Sequence, residues 1–427
     1  MDQLRRDIGF AVRVLLKRPG LSFIIILTLS LGIGVTTTVF SWVNGALYKG
    51  LPVPAGERVV AVGTSEPARN IRFNPVSVHD FVEWREQQTT LVDLASFNMR
   101  TVNLSGSEGR AERYSGAFVS ANLFDVLRVQ PVLGGFFREG DDRPGADPVI
   151  VIGYTIWQDR YGAAPDVIGR TVRANGTTRT IIGVAPEGFL FPDREQLWIP
   201  ETLDPNASAR GEGPRCFGVG RLRDGISLDD ARAEFATIAR RLEQEYPETN
   251  EGVGAAVMAF TELGVGPEMH GLMLTMVGAV IGVLLIACAN VANLLLARAS
   301  VRTREVAVRT ALGARRARII TQLLTELLIL SIIGGALGYV LGRAGVEWGD
   351  RISLTNPPPF WIRFDSDHRV VLFVISMVVL SCIVSGLVPA FRATGVNVNE
   401  ALKDEGRGSS SFRMGKFSAG LVVTEVA

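Results

Sequence analysis

Four long stretches of this chain carry almost no charge, and they decide what it can fold into. They are residues 19–48, 271–297, 319–342 and 370–391, interrupted only by Glu326 in the third. Each is longer than the roughly 20 apolar residues that take a helix across a hydrocarbon core of about 30 Å. A helix in a soluble core rarely stays uncharged so long, because its outer face needs polar residues. The pattern predicts an α-helical membrane protein with four transmembrane helices and a large mixed α/β domain inserted between helices 1 and 2. Whole-chain averages conceal this: a formal net charge of +1 and 20% charged residues blend the soluble block with the spans.

Basic residues orient the spans. Arg5, Arg6, Arg13, Lys17 and Arg18 precede the first; Arg298, Arg302, Arg304, Arg309, Arg315, Arg316 and Arg318 fill the connection between the second and third. Arg392, Lys403, Arg407, Arg413 and Lys416 follow the fourth. Loops rich in Lys and Arg stay in the cytoplasm. The expected division is then an amphipathic cytoplasmic segment 1–18, span 19–48, an exported domain 49–267, span 268–297 and a cytoplasmic segment 298–318. Span 319–342, an outer loop 343–368, span 369–391 and a cytoplasmic tail 392–427 complete it. The first span is expected to stay as an anchor, since its apolar run is too long for a signal peptide and no clear A-x-A site follows.

The exported block must hold itself together by burial. Cys216 is its only cysteine, Cys288 and Cys382 lying within spans, so it closes no internal disulfide. Strands are expected at 58–64 and 148–154, and a β-hairpin at 170–174 and 177–182 around Asn175-Gly176, the dipeptide that tolerates positive φ at both turn positions. Ser77-x-x-Asp80 and Ser227-x-x-Asp230 open two helices, the second carrying Phe235, Ile238, Leu242 and Tyr246 at helical spacing and ending near Pro247.

The sequence carries no catalytic signature. The chain has no phosphate-binding G-x-x-x-x-G-K-[ST], no H-E-x-x-H, no C-x-x-C pair and no G-x-S-x-G. His79, His270 and His368 lie in separate segments, which argues against a shared metal. A non-enzyme without cofactor, metal or nucleic-acid partner is expected. The spans say more. Gly334, Gly338 and Gly342 recur every fourth residue in the third, Gly278 and Gly282 in the second, Ser381 and Ser385 in the fourth. Small residues at that spacing let helix backbones approach closely in lipid. Polar residues inside the spans are few: Glu326 with Gln322 one turn earlier, and Asn290 and Asn293 on one face of the second. Glu326, near the cytoplasmic end, is expected to pair with a neighbouring arginine or helix.

The connection between the second and third spans is the sharpest local signal. Arg302, Glu305, Val306, Arg309, Leu312, Gly313 and Arg316 stand in R-x-x-E-V-A-V-R-x-A-L-G-A-x-R, with Glu305 four residues before Arg309, the favourable order for a helical ion pair. A short cytoplasmic amphipathic helix broken at Gly313 is expected. By physics alone it could serve as a basic cluster against anionic lipid of the bilayer.

That segment resembles the coupling segment of the MacB/FtsX-type ABC transporter permeases, and Gln322-Leu-Leu-Thr-Glu326, Leu387-Val-Pro-Ala-Phe-Arg392 and Glu400-Ala-Leu-Lys403 are similar to the family beyond it. In the exported block Ser120-Ala-Asn-Leu-Phe124, Pro131-Val-Leu-Gly134, Gly169-Arg170-Thr-Val and Ile182-Gly-Val-Ala-Pro186 resemble the family's periplasmic domain. The resemblance implies a permease of the bacterial inner membrane, working with a separate ABC ATPase subunit and paired with a second permease module. ATP-driven motion at the coupling residues would reach the periplasmic domain for efflux or export. The same architecture also implies two alternatives, switching of a cell-wall hydrolase and release of a lipoprotein; the resemblance adds an adaptor protein to the candidate periplasmic partners. Residues 417–427 resemble the opening of another span, as in the first half of a duplicated-module permease.

Overall fold

The computed structural model describes residues 19–105, 111–311, 316–352 and 358–394, which fall into two compact units. Among the described residues four helices are long and apolar enough to cross a membrane: Pro19–Tyr48, Met269–Ala297, Ile320–Ile352 and His368–Gly386. They form one unit, and the domain inserted after the first span forms the other.

Two boundaries differ from expectation. The helix that carries the second span runs unbroken from Pro267 to Ala311, so the basic segment through Arg309 continues it and forms no separate short helix. Leu312 and Gly313 lie outside the described residues. The third helix spans Arg316–Ile352, well past Gly342, because no proline follows the last apolar turn before Pro357. The first helix ends in a π-helical turn, Asn44–Tyr48.

The soluble unit is built on a mostly antiparallel sheet. Its strands are β1 (Val59–Glu66), β2 (Ile71–Asn74), β3 (Val76–Ser77), β4 (Leu91–Ser105), β5 (Glu112–Val119) and β6 (Leu133–Gly134). The later ones are β7 (Val149–Ile152), β8 (Thr171–Ala174), β9 (Thr177–Val184), β10 (Leu197–Pro200), β11 (Arg215–Leu222) and β12 (Gly254–Ala259). The order along the sheet is β12-β1-β11-β4-β5-β10-β7-β9-β6, with parallel pairing at β5–β10 and β7–β9.

Strand alternation explains how one sheet serves three cores. Val60 and Val62 of β1 and Leu94 of β4 turn to one face, where Trp84 and Phe235 of helices Val78–Gln87 and Leu228–Glu245 meet them. Their neighbours Val59, Ala61 and Ala95 turn to the other face, into an aromatic core around Phe97, Phe124, Phe191 and Trp198. At the far end Ile150, Ile152, Leu197 and Ile199 build a third core under helix Tyr154–Tyr161. Burying a side chain of this size stabilises the fold by about 1.5–3 kcal/mol.

Local sequence sets several of these elements. Asn175 and Gly176 have φ of 48° and 86°, joining Ala174 to Thr177 in a tight hairpin of β8 and β9. The Asn175 side-chain oxygen also accepts from the Asn103 amide at 2.9 Å, fastening the turn to β4. Ser227 and Asp230 cap each other's backbone amides at 3.2 and 2.9 Å at the start of the long helix, and the Ser227 bonds hold the Asp230 carboxyl below its ordinary pKa. The strand expected at 148–154 stops at Ile152; Tyr154 already opens a helix whose N-cap is Gly153.

Candidate functional site

Within the transmembrane unit, the first and third helices meet through glycine. A Cβ placed on Gly334 would lie 2.9 Å from the Leu29 Cβ, one on Gly338 2.9 Å from the Ile33 Cβ and 3.1 Å from the Ser30 carbonyl oxygen, and one on Gly342 2.8 Å from the Thr37 Cβ. Carbon atoms in contact stand about 3.5–4.0 Å apart, so hydrogen is the only substituent that fits. The stripe runs further than expected: Gly345 faces the Thr38 hydroxyl and Gly349 the Trp42 ring. Gly34 answers from the first helix, where an added Cβ would lie 3.3 Å from the Gly338 carbonyl oxygen. Gly345 and Gly349 could have been found by continuing the same face past Gly342.

Gly278 and Gly282 do not behave this way. Among the described residues of this chain nothing comes within 4 Å of a Cβ at either position, so the packing expected from their spacing is not made within the four-helix unit described. The second helix presents Leu284 and Ala287 to Gly32 instead, the face roughly opposite in helical phase.

Side-chain hydroxyls stitch the bundle by donating to carbonyls of neighbouring helices. The Thr38 hydroxyl donates to the Gly342 carbonyl at 3.3 Å, Thr36 to Val280 at 3.3 Å and Ser385 to Cys288 at 3.0 Å. Ser381 is buried beside them. At the ends of the first and fourth helices Asn44 donates to Asp367 at 2.9 Å, while the other Asp367 oxygen caps the Arg369 and Val370 amides at 3.0 and 3.1 Å. Phe40 stacks on Phe373 with centroids 3.9 Å apart.

The polar residues of the spans part company. Glu326 is 4% exposed and accepts from Gln322 at 3.5 Å. Asn290 is exposed and Asn293 half-buried. Of the coupling residues, Arg302, Glu305, Val306 and Arg309 lie on the continuous helix and Arg316 opens the next; Leu312 and Gly313 fall outside the described residues. No cluster of three metal-ligating side chains occurs among the described residues.

One arrangement had no signal in the sequence. Residues Pro358–Arg363, between the third and fourth spans, belong to the soluble unit and not to a loose loop. Trp361 is 4% exposed and stands edge-on to Phe260 at 5.4 Å. The Phe360 amide donates to the Asp193 carbonyl at 3.1 Å, and Lys49 donates to the Arg363 carbonyl at 3.0 Å. Beneath them the Glu195 carboxylate accepts the Asp193 and Arg194 amides at 2.7 and 2.9 Å, and burial raises its pKa. The chain is therefore fastened to the soluble core at a point reached from two spans, in addition to its covalent junctions at Ala46 and Gly266.

Two family models cover this layout: a MacB-like periplasmic core domain matches residues 22–238 and an FtsX-like permease C-terminal region matches 277–398. The chain belongs to the MacB/FtsX-type ABC transporter permeases. Among the relatives of this permease are the pyoverdine export ATP-binding/permease protein PvdT of Pseudomonas syringae pv. tomato, 32% identical over 49% of this chain and 32% of that protein. The uncharacterized ABC transporter permease YknZ of Bacillus subtilis is 28% identical over 56% of this chain and 57% of its own length. The macrolide export ATP-binding/permease protein MacB of Bordetella avium is 26% identical over 73% of this chain and 45% of its own. The permease thus spans between a third and somewhat over half of these proteins. It is a multi-pass membrane protein with the MacB-like domain between its first two spans.

Proposed function

We propose that this permease is a transmission device for export across a bacterial inner membrane: a separate ATPase docks on the segment 302–316, and its ATP-driven motion is carried by the spans to the exported domain. The N-terminus and the docking segment lie in the cytoplasm, as their arginines favour. The observation that supports this most is the helix Pro267–Ala311. At 1.5 Å per residue it is a rod of about 68 Å, far longer than a hydrocarbon core of about 30 Å. A displacement applied around Arg302 and Arg309 passes along it without a hinge to Pro267, next to Gly266 where the inserted domain ends in sequence. The glycine interface of the first and third helices lets neighbouring rods move as one packed body, and the Trp361 anchorage gives the third and fourth spans their own hold on the soluble core. Relatives named for pyoverdine and macrolide export favour export as the outcome.

Docking is tested at Leu312. Leu312→Asp puts a charge into the apolar side of the segment and should cost several kcal/mol of association, while the arginines that orient the spans remain. The variant is expected to insert normally and to lose co-purification of its ATPase. Full association with unchanged activity would return the segment to a role against anionic lipid.

A further inference from the structure

Within the soluble unit a cleft of about 750 Å³ opens beside the anchored segment, with a size and lining that suit a small ligand. Its apolar wall is made by Val129, Phe189 and Phe360, the two rings standing 6.2 Å apart at 69°. Its charged lining residues are Arg128 and Arg363, with Glu187 the one carboxylate among the residues that line it. Arg128 is held there by an unusual backbone: with φ of 56° it ends helix Leu123–Leu127, its amide donating to the Asp125 carbonyl at 3.0 Å.

A further cation stands behind this lining. Arg221 is fully buried and donates to the carbonyls of Val126 at 2.7 Å, Ala55 at 2.8 Å and Leu127 at 3.1 Å, so dipoles and not a carboxylate satisfy its hydrogen bonds. An apolar wall beside two arginines, whose guanidinium groups are planar donors, is the combination that selects an apolar body ending in one oxyanion. Sequence ties both edges of the cleft to the spans. Pro52 follows the first spanning helix, which ends at Tyr48, and Arg363 precedes the fourth, which begins at His368. Chain stretches so short reach less than about 20 Å, which brings the surface of the bilayer into range as the source of the ligand.

We propose that this cleft binds an anionic single-chain lipid, with its phosphate or carboxylate between Arg128 and Arg363 and its chain along Phe189 and Phe360. The claim concerns binding and stands apart from the export reading.

The test uses the full chain in phosphatidylcholine nanodiscs, titrated calorimetrically with dodecyl phosphate below its micellar concentration and corrected with empty discs. Saturable binding is expected, at least about tenfold weaker in Arg128→Glu and in Arg363→Gln. If Arg128→Glu melts early, Arg128→Gln carries the comparison, since glutamine is no worse than arginine at that φ. Dodecyl maltoside should not displace the probe, and inorganic phosphate should bind at least about a hundredfold more weakly. Unsaturable uptake, unchanged affinity in the arginine variants, or displacement by the neutral maltoside would each overturn the proposal. Inorganic phosphate binding as tightly as the probe would overturn the lipid assignment.

Discussion

Replacing Gly338 by leucine tests whether the bundle depends on contact between the first and third helices. The first added carbon alone would lie 2.9 Å from the Ile33 Cβ and 3.1 Å from the Ser30 carbonyl oxygen. Both are backbone-fixed atoms that no rotamer change can remove, and the carbon contact falls at least about 0.6 Å short of van der Waals distance. Leucine adds three more carbons, so the helices must part along the stripe and also lose the contacts at Gly334 and Gly342. Overpacking costs about 1–3 kcal/mol, and this site belongs at the upper end. Gly278→Leu is the control, because it adds the same atoms where nothing lies within 4 Å; a change below about 0.5 kcal/mol is expected. The assay is unfolding in a mild detergent titrated with dodecyl sulfate, followed by tryptophan fluorescence, with Trp42 reporting from beside Gly349. A difference of about 3 kcal/mol corresponds to more than a hundredfold in the folding equilibrium. If the two leucine variants unfold together, the close approach does not support the bundle, and the rigid-body part of the proposed transmission loses its basis.

Three other predictions follow from particular groups. Trp361→Ala empties a buried site against Phe260 and should cost about 3–5 kcal/mol, read as a lower melting temperature and faster proteolysis of the soluble unit; wild-type resistance would mean that the segment is not anchored. Burial raises the pKa of Glu195 and of Asp193, so the folded state holds protons that the unfolded state has released, and stability should fall as pH rises from the ordinary carboxylate range through the raised values. Glu195→Gln keeps an oxygen for the amides of Asp193 and Arg194 and should flatten part of that fall; an unaltered profile would place the titration elsewhere. A reporter active only outside the cytoplasm should work when fused near Gly140 and be silent at Gly313, and activity at Gly313 would invert the proposed orientation.

How much of this was legible depends on how local its cause is. The hairpin at Asn175-Gly176 and the capping box at Ser227 and Asp230 are settled by two to four consecutive residues, and their geometry follows from those residues alone. The helical start at Tyr154 was missed because Val149–Ile152 is a buried apolar run that continues without a polar break into the next element. The fate of Trp361 was beyond reach: its partner Phe260 is distant in sequence, and an aromatic residue in a connection gives no hint of which core will take it. Glycine spacing carried half a message. It identifies a face that can be approached, but only a partner such as Leu29, Ile33 or Thr37 turns that face into a contact, and Gly278 and Gly282 have none among the described residues.

The unbroken second helix shows the same limit from the other side. Between Gly282 and Gly313 the sequence contains neither glycine nor proline, and half of its charged part, residues 298–311, is alanine or arginine, both good helix formers. The change of composition after Ala297 marks where the hydrocarbon ends. It does not mark where the helix ends, because backbone hydrogen bonding is satisfied within the helix on either side of that boundary. Reading the arginines as the start of a new element mistook a change of solvent for a change of structure. The distinction bears on the proposed mechanism: a separate helix joined by a hinge would absorb a push delivered at Arg302–Arg309, whereas a continuous one would resist bending and hand that displacement to the span.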